Sequence, residues 1–139
     1  FGEIVRGMHH WGASLVIVMM FLHTLRVFFT GSYKKPRELN WMVGVLIFAV
    51  MLGLGFTGYL LPWDMKALFA TKVGIEIAAS VPVIGGMIKT LLAGDETIIG
   101  AQTLTRFFAI HVFFLPAALF ALLAAHFIMI RRQGISGPL

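Results

Sequence analysis

Three long apolar runs constrain the fold of this chain more than any other feature. No Asp, Glu, Lys or Arg interrupts Gly7 to Leu25, Leu39 to Trp63 or Phe107 to Ile130. Each run reaches the length, about 18 residues, at which an apolar segment becomes a candidate membrane-spanning helix. A chain of 139 residues that is 59% hydrophobic and 12% charged has too little polar surface to enclose three such runs in water. The sequence therefore predicts an all-α membrane protein with one domain over residues 1–139.

Turn-forming residues set the ends of the three predicted spans, which we place at residues 6–29, 41–61 and 105–130. Pro36 lies in the link after the first span, and Pro62 ends the second. Pro116 falls inside the third span, where membrane helices tolerate proline and where we expect a kink. Residues 64–103 are partly apolar but are broken by Pro82 and two glycines, so we predict short helices at the membrane interface there.

The basic residues lie on one side of the predicted spans. The link 31–40 holds three basic residues against one acidic residue, and Arg131 and Arg132 follow the third span. Residues 64–106, on the other side, hold four basic and four acidic residues. This positive-inside pattern predicts a cytoplasmic link and C-terminus. It also indicates that the net charge of +5 serves membrane topology and lipid contact rather than nucleic-acid binding. The absence of cysteine excludes thiolate-held zinc and iron–sulfur clusters within this chain.

Histidines are the unusual residues of the spans, and all five lie in the first or third: His9, His10, His23, His111 and His126. Ionisable residues are costly in a bilayer, so their default interpretation is functional, although a single histidine can also join two helices by a hydrogen bond. His9 and His23 are 14 residues apart, which places them within about 40° of one helix face and about 21 Å apart along it.

The third span repeats this spacing. His111 and His126 are 15 residues apart, within about 60° of one face and about 22 Å apart. Because the first and third of three spans run in the same direction, His9 pairs in depth with His111, and His23 pairs with His126. His10 lies about 140° from His23, so we interpret it as a packing or surface residue.

Two imidazoles at each of two depths suit two haems better than other metal groups. Two axial imidazoles complete the coordination of a porphyrin iron and favour electron transfer over ligand binding. Zinc or copper needs three or four ligands at one depth. Chlorophyll usually takes one histidine per pigment, so four matched residues exceed what it requires.

Arginines and glycines accompany the histidines at regular distances. Arg6, Arg26, Arg106 and Arg131 are each displaced from a histidine toward the nearer water surface, where guanidinium groups suit haem propionates. Snorkelling to the interface is the alternative, which stays open for Arg131. Gly44 and Gly58 are 14 residues apart in the second span and leave room for a flat macrocycle, or for close helix packing.

The chain resembles the N-terminal part of the cytochrome b / cytochrome b6 family over its whole length. The motifs that carry the resemblance are Arg6-Gly-Met-His9-His10-Trp11, Leu22-His23-Thr-Leu-Arg26, Tyr33-Lys-Lys-Pro-Arg-Glu38, Thr57-Gly-Tyr-Leu-Leu-Pro62-Trp63-Asp64, Thr103-Leu-Thr-Arg106-Phe107 and Arg132-Gln-Gly-Ile-Ser-Gly-Pro-Leu139. The 15-residue histidine spacing and the C-terminal motif resemble the split, b6-type version, including its natural end. Trp63-Asp-Met-Lys-Ala-Leu-Phe69 is most similar to the menaquinol-oxidising version of Gram-positive bacilli.

The resemblance implies a fold and a set of site residues. The three spans would belong to a haem-binding four-helix bundle whose first helix is missing here. His9 and His111 would ligate the haem near the outer side, and His23 and His126 the haem near the inner side. Pro62, Trp63 and Asp64 would border the pocket where quinol is oxidised, and Arg131 would lie near the inner quinone pocket.

The implied function is that of a di-haem b electron-transfer subunit in a quinol:cytochrome c reductase of the bacterial cytoplasmic membrane, which is not a complete enzyme alone. It would carry electrons from quinol oxidation across the membrane and contribute to the proton gradient. The implied partners are a C-terminal, subunit IV-type chain, a Rieske iron–sulfur protein and a cytochrome c-type subunit, in a homodimeric complex. Split versions also carry a third, covalent haem c attached outside this segment. The alternatives are a di-haem anchor of another respiratory dehydrogenase or hydrogenase, and a haem-free packing subunit.

Overall fold

The computed structural model describes residues 1–94 and 99–136, and these residues form helices and no strand. Three helices are long and apolar enough to cross a membrane: Gly2–Phe29, Glu38–Leu60 and Ala101–Gln133. The predicted all-α class and the three spans are therefore confirmed, with each helix beginning three or four residues before its predicted start. Residues 95–98 of the predicted interfacial segment and residues 137–139 of the C-terminal motif lie outside the described residues.

The first two spans are helices that are apolar around most of their circumference. Helix α1 comprises Gly2–Phe29, and none of its residues, all of which the structure describes, is buried. It ends where Gly31 adopts a φ of 65°, a left-handed conformation that glycine adopts at no steric cost. Helix α2 comprises Glu38–Leu60 and ends two residues before Pro62. A helix that is apolar all round suits lipid or a bundle interior rather than water.

The link between α1 and α2 is held to the C-terminal tail by polar contacts. Arg37 donates from Nε to the carbonyl of Gly134 at 3.1 Å and from Nη2 to that of Ile135 at 3.0 Å. The hydroxyls of Ser32 and Ser136 are hydrogen-bonded at 2.9 Å. These contacts of Arg37 are not predictable from local sequence, because its partners lie 97 and 98 residues away along the chain.

Two short helices follow the second span, as predicted for the interfacial segment. Helix α3 comprises Met65–Ala79, and helix α4 comprises Gly85–Ala93. The turn between them depends on Gly85, because a Cβ at this position would lie 1.9 Å from the carbonyl oxygen of Ala79. Backbone so close to the α-carbon leaves space only for hydrogen.

The third span contains an irregular turn. Helix α5 comprises Ala101–Ala109, a π-helical turn comprises Ile110–Phe114, and helix α6 comprises Leu115–Gln133. The N–H of Leu115 donates to the carbonyl of Ile110, five residues earlier. The sequence predicted a kink at Pro116. The irregularity that the structure shows is the π turn that ends just before this proline, where the ladder of backbone hydrogen bonds loses a donor.

The chain divides into two compact units, which we describe separately. One comprises Phe1–Gly55 with Ala117–Leu139, and the other comprises Phe56–Pro116. The second unit has a small core made of Leu60, Ile75, Ala93 and Phe107. Buried Thr103 joins its helices by donating its hydroxyl proton to the carbonyl of Ala93 at 2.6 Å. The expectation of a single domain over residues 1–139 stays a prediction.

We expect Gly85→Ala to lower the free energy of unfolding by at least about 1–3 kcal/mol, because the new methyl group overlaps backbone atoms of Ala79. Gly86→Ala is the matched control, since a Cβ there meets nothing within 4 Å. Thermal unfolding of the two purified variants in detergent measures the difference. Equal stability of the two variants would contradict the close approach at Gly85.

Candidate functional site

The four regularly spaced histidines occupy two kinds of environment. His9 and His23 are exposed on α1, whereas His111, in the π turn, and His126, in α6, are half-buried. His10 is also exposed, and its ring centroid lies 5.6 Å from that of Trp11, which matches the surface role expected for it.

His23 and His126, the predicted inner pair, both belong to the first unit. Their imidazoles are close enough to interact electrostatically. A Cβ at Gly44 would lie 3.4 Å from Cε1 of His126, so the ring packs against the backbone of α2. The Nδ1 atom of His126 is buried and has no hydrogen-bond partner among the described residues. The ring also interacts with the backbone of Asn40, so the atom without a partner is Nδ1 alone. Buried polar atoms normally have a partner, and this site therefore has room for a further polar contact.

His111 is held more tightly, within the second unit. A Cβ at Gly58 would lie 2.7 Å from Cε1 of His111 and 3.3 Å from both ring nitrogens. The hydroxyl of Thr57 lies 3.0 Å from Nδ1 of His111, within hydrogen-bond distance. The ring therefore lies against one residue's backbone and beside the next residue's hydroxyl.

Each of the two glycines singled out by the sequence thus contacts one histidine of the third span. Their spacing in the sequence predicts that Gly44 and Gly58 lie at the depths of the histidines and make room for a macrocycle. The structure shows that the missing side chains make room for the imidazoles themselves. Their role toward a haem stays a prediction. The contact of Thr57 with His111 was not predicted, and its only signal in the sequence is a hydroxyl residue next to a glycine in an apolar span.

Among the described residues, one pair of histidines, His23 and His126, interacts electrostatically, and there is no larger ligand cluster. Within residues 1–94 and 99–136, no three His, Cys, Asp or Glu side chains lie close enough to hold a metal ion together. A pair of imidazoles is sufficient for an iron that already has four porphyrin nitrogens, and the glycine contacts show where two of the predicted imidazoles lie. The donor set therefore fits haem.

The four candidate arginines differ in their surroundings. Arg6, Arg26 and Arg131 are exposed, so their guanidinium groups are accessible to an anionic partner. Arg106 donates from Nη1 to the carbonyls of Thr90, at 2.8 Å, and of Leu91. These contacts tie α5 to the C-terminal end of α4, where cations are favoured, and they account for this residue without a cofactor. Its role toward haem propionates stays a prediction.

Pro62, Trp63 and Asp64 form the turn between α2 and α3. Asp64 is the N-cap of α3 and accepts a hydrogen bond from the N–H of Ala67 at 2.8 Å, which gives its carboxylate a structural role. Trp63 has a φ of 53°, which is unfavourable for a residue with a bulky side chain and which is often found at functional turns. The proposed place of this turn beside a quinol pocket stays a prediction.

Comparison of the sequence with known proteins finds relatives within one protein family. The family model described as "Cytochrome b(N-terminal)/b6/petB" matches residues 14–139. The cytochrome b subunit of menaquinol:cytochrome c reductase is 85% identical in Bacillus subtilis and 84% identical in Geobacillus thermodenitrificans, over all 139 residues. Cytochrome b6 of Synechocystis is 49% identical over the same length. The chain spans 62% of the length of each of these relatives.

We expect Gly58→Ala to displace the ring of His111, because the added methyl group would lie 2.7 Å from Cε1. The absorbance band of any haem that this histidine ligates should weaken or shift. Gly44→Ala should have a smaller effect, since its Cβ lies 3.4 Å from His126, and Gly12→Ala should have none, since nothing lies within 4 Å. Visible spectra of the three purified variants test this order, and an effect of Gly12→Ala as large as that of Gly58→Ala would refute it.

Proposed function

Because this chain belongs to the cytochrome b/b6 family, we propose that it is the di-haem b part of an electron-transfer subunit in a menaquinol:cytochrome c reductase. With its three apolar helices, it is a multi-pass protein of the bacterial cell membrane. The observation that carries the proposal is the arrangement of the third-span histidines. Each is seated against a glycine of α2, and one of them, His126, is within electrostatic range of His23 in α1.

The proposed ligands are two pairs of imidazoles. His23 and His126 form the inner pair, which their proximity in the first unit supports. His9 and His111 form the outer pair, and this assignment rests on their matched positions in the sequence. A haem held by two imidazoles supplies a reversible one-electron change at an iron with no open coordination site, which suits electron transfer rather than bond-making.

Other residues would support the two haem sites. Gly44 and Gly58 keep the backbone of α2 free of side chains next to the ligands. Exposed Arg6, Arg26 and Arg131 can each offer a permanently charged, forked donor to a propionate carboxylate. Arg106 keeps its positive charge while it is hydrogen-bonded to α4, so it lowers the cost of negative charge nearby. The apolar surfaces of the spans exclude water and keep the local dielectric constant low.

The substrate and partners follow from the names of the relatives and from the resemblance. The two bacillar relatives are named for menaquinol and cytochrome c, so we propose menaquinol as the electron donor. The turn Pro62–Asp64 would border its oxidation pocket. A subunit IV-type chain, a Rieske protein and a cytochrome c-type subunit would complete a homodimeric complex, with a covalent haem c bound outside this segment. Sites at two depths let such a subunit carry electrons across the bilayer and contribute to the proton gradient.

Single His→Leu variants of the full-length protein in its membrane complex test the proposed function. We expect two b-type signals in the unaltered protein by pyridine haemochrome assay and low-temperature spectroscopy. His9→Leu and His111→Leu should abolish one signal, and His23→Leu and His126→Leu the other, because a haem with one axial ligand is poorly retained.

His10→Leu is the matched control, since it removes an exposed imidazole beside His9 and should leave both signals intact. Two intact signals in His23→Leu would end the assignment of the inner pair. An unaltered protein without b-type absorbance would refute the proposed function as a whole.

A further inference from the structure

The hydrogen bond between Thr57 and His111 points to a residue that orients a haem ligand. We propose that Thr57 is a positioning residue for the outer haem: its hydroxyl holds Nδ1 of His111 and so reserves Nε2 for the iron. This inference rests on the proposed function. Its structural basis is the 3.0 Å contact between Thr57 Oγ1 and His111 Nδ1, between residues 54 positions apart in the chain.

The chemistry of a neutral imidazole fixes the direction of this hydrogen bond. Such a ring has one N–H and one nitrogen with a free lone pair, and only the latter can bind iron. When Nε2 is the ligand, Nδ1 carries the proton and donates it to the hydroxyl oxygen of Thr57. A hydroxyl can accept this hydrogen bond and still donate its own proton to another acceptor, so Thr57 is suited to accept from Nδ1.

Burial makes the contact energetically important. Thr57 is 5% exposed and lies within an apolar span, where water cannot replace a lost partner. An N–H left without a partner in such a place is destabilising, because it has lost its hydrogen bonds to water without gaining another. The ring of His111 is also confined at Cε1, where a Cβ on Gly58 would lie 2.7 Å away. Neighbouring residues of α2 therefore fix the position of the imidazole and occupy its Nδ1, which leaves Nε2 as the nitrogen that can bind iron.

The inner ligand lacks this arrangement. Nδ1 of His126 has no hydrogen-bond partner among the described residues, and the Cβ contact at Gly44 is longer, at 3.4 Å. Thr57 should therefore affect one haem and not the other. A hydrogen bond accepted from Nδ1 makes the imidazole a stronger electron donor and stabilises the oxidised iron. Loss of the hydroxyl should raise the reduction potential of the outer haem alone.

The experiment compares Thr57→Val, which keeps the size of the side chain, with Thr57→Ser, which keeps the hydroxyl. Redox titration and electron paramagnetic resonance of the complete complex follow the two haems separately. In Thr57→Val, the signal that His111→Leu abolishes should move to a higher potential with altered g-values, and that haem should be retained about tenfold more weakly. Thr57→Ser should restore the original signal.

Thr71→Val is the matched control. Thr71 is fully buried like Thr57, but its hydroxyl donates to the carbonyl of Ala67 in its own helix at 2.8 Å, so both haem signals should stay unchanged. If Thr57→Val prevents assembly of the complex, Thr57→Ala, which adds no bulk, replaces it.

Two outcomes overturn the inference while leaving the proposed function intact. One is an unchanged outer signal after loss of the hydroxyl. The other is an equal change in Thr57→Val and Thr57→Ser, which would mean that Thr57 only fills space. An unaltered complex without two b-type signals would instead overturn the proposed function, and this inference with it.

Discussion

The rest of the structure depends on the cost of placing a polar group in an apolar membrane span. Helices satisfy their own backbone, so the three spans are helical almost throughout. Polar side chains, by contrast, need hydrogen-bond partners from other residues or from a ligand. His111 meets the hydroxyl of Thr57, whereas Nδ1 of His126 is left without a hydrogen-bond partner among the described residues. Where a polar group stays unsatisfied at such a cost, a further ligand is the simplest compensation, and this logic connects the helices to a cofactor.

Glycine and arginine show how one residue type serves two purposes in this chain. Gly85 permits a tight turn between two interfacial helices, and Gly58 gives space to a histidine. Arg37 and Arg106 both donate to backbone carbonyls and hold segments together, whereas Arg26 stays exposed. The sequence pattern predicts the same role for Arg106 and Arg26 beside a haem propionate. Tertiary contacts decide which of them remain available to an anionic ligand.

Local sequence was sufficient to predict the spans, the interfacial helices and the regular histidine spacing. These features depend on hydrophobicity and on helical period, which neighbouring residues determine. The helices begin three or four residues before their predicted starts because polar residues such as Glu38 extend them beyond their apolar cores. The contacts of Thr57 and Arg37 could not be predicted, since they join residues 54 or more positions apart. The capping of α3 by Asp64 was also not predicted, and its expected place beside a substrate pocket stays a prediction.

The π turn at Ile110–Phe114 changes the angle through which successive side chains of the third span rotate about the helix axis. A helical turn closed by a hydrogen bond from residue i to i+5 contains about one residue more than a turn closed from i to i+4. Fifteen residues that start inside it therefore advance through about the same angle as fourteen in a regular α-helix. One extra residue can be accommodated in this way without changing the angular positions of the side chains that follow it. The π turn therefore compensates for the extra residue between His111 and His126, so that their angular separation is about that of His9 and His23.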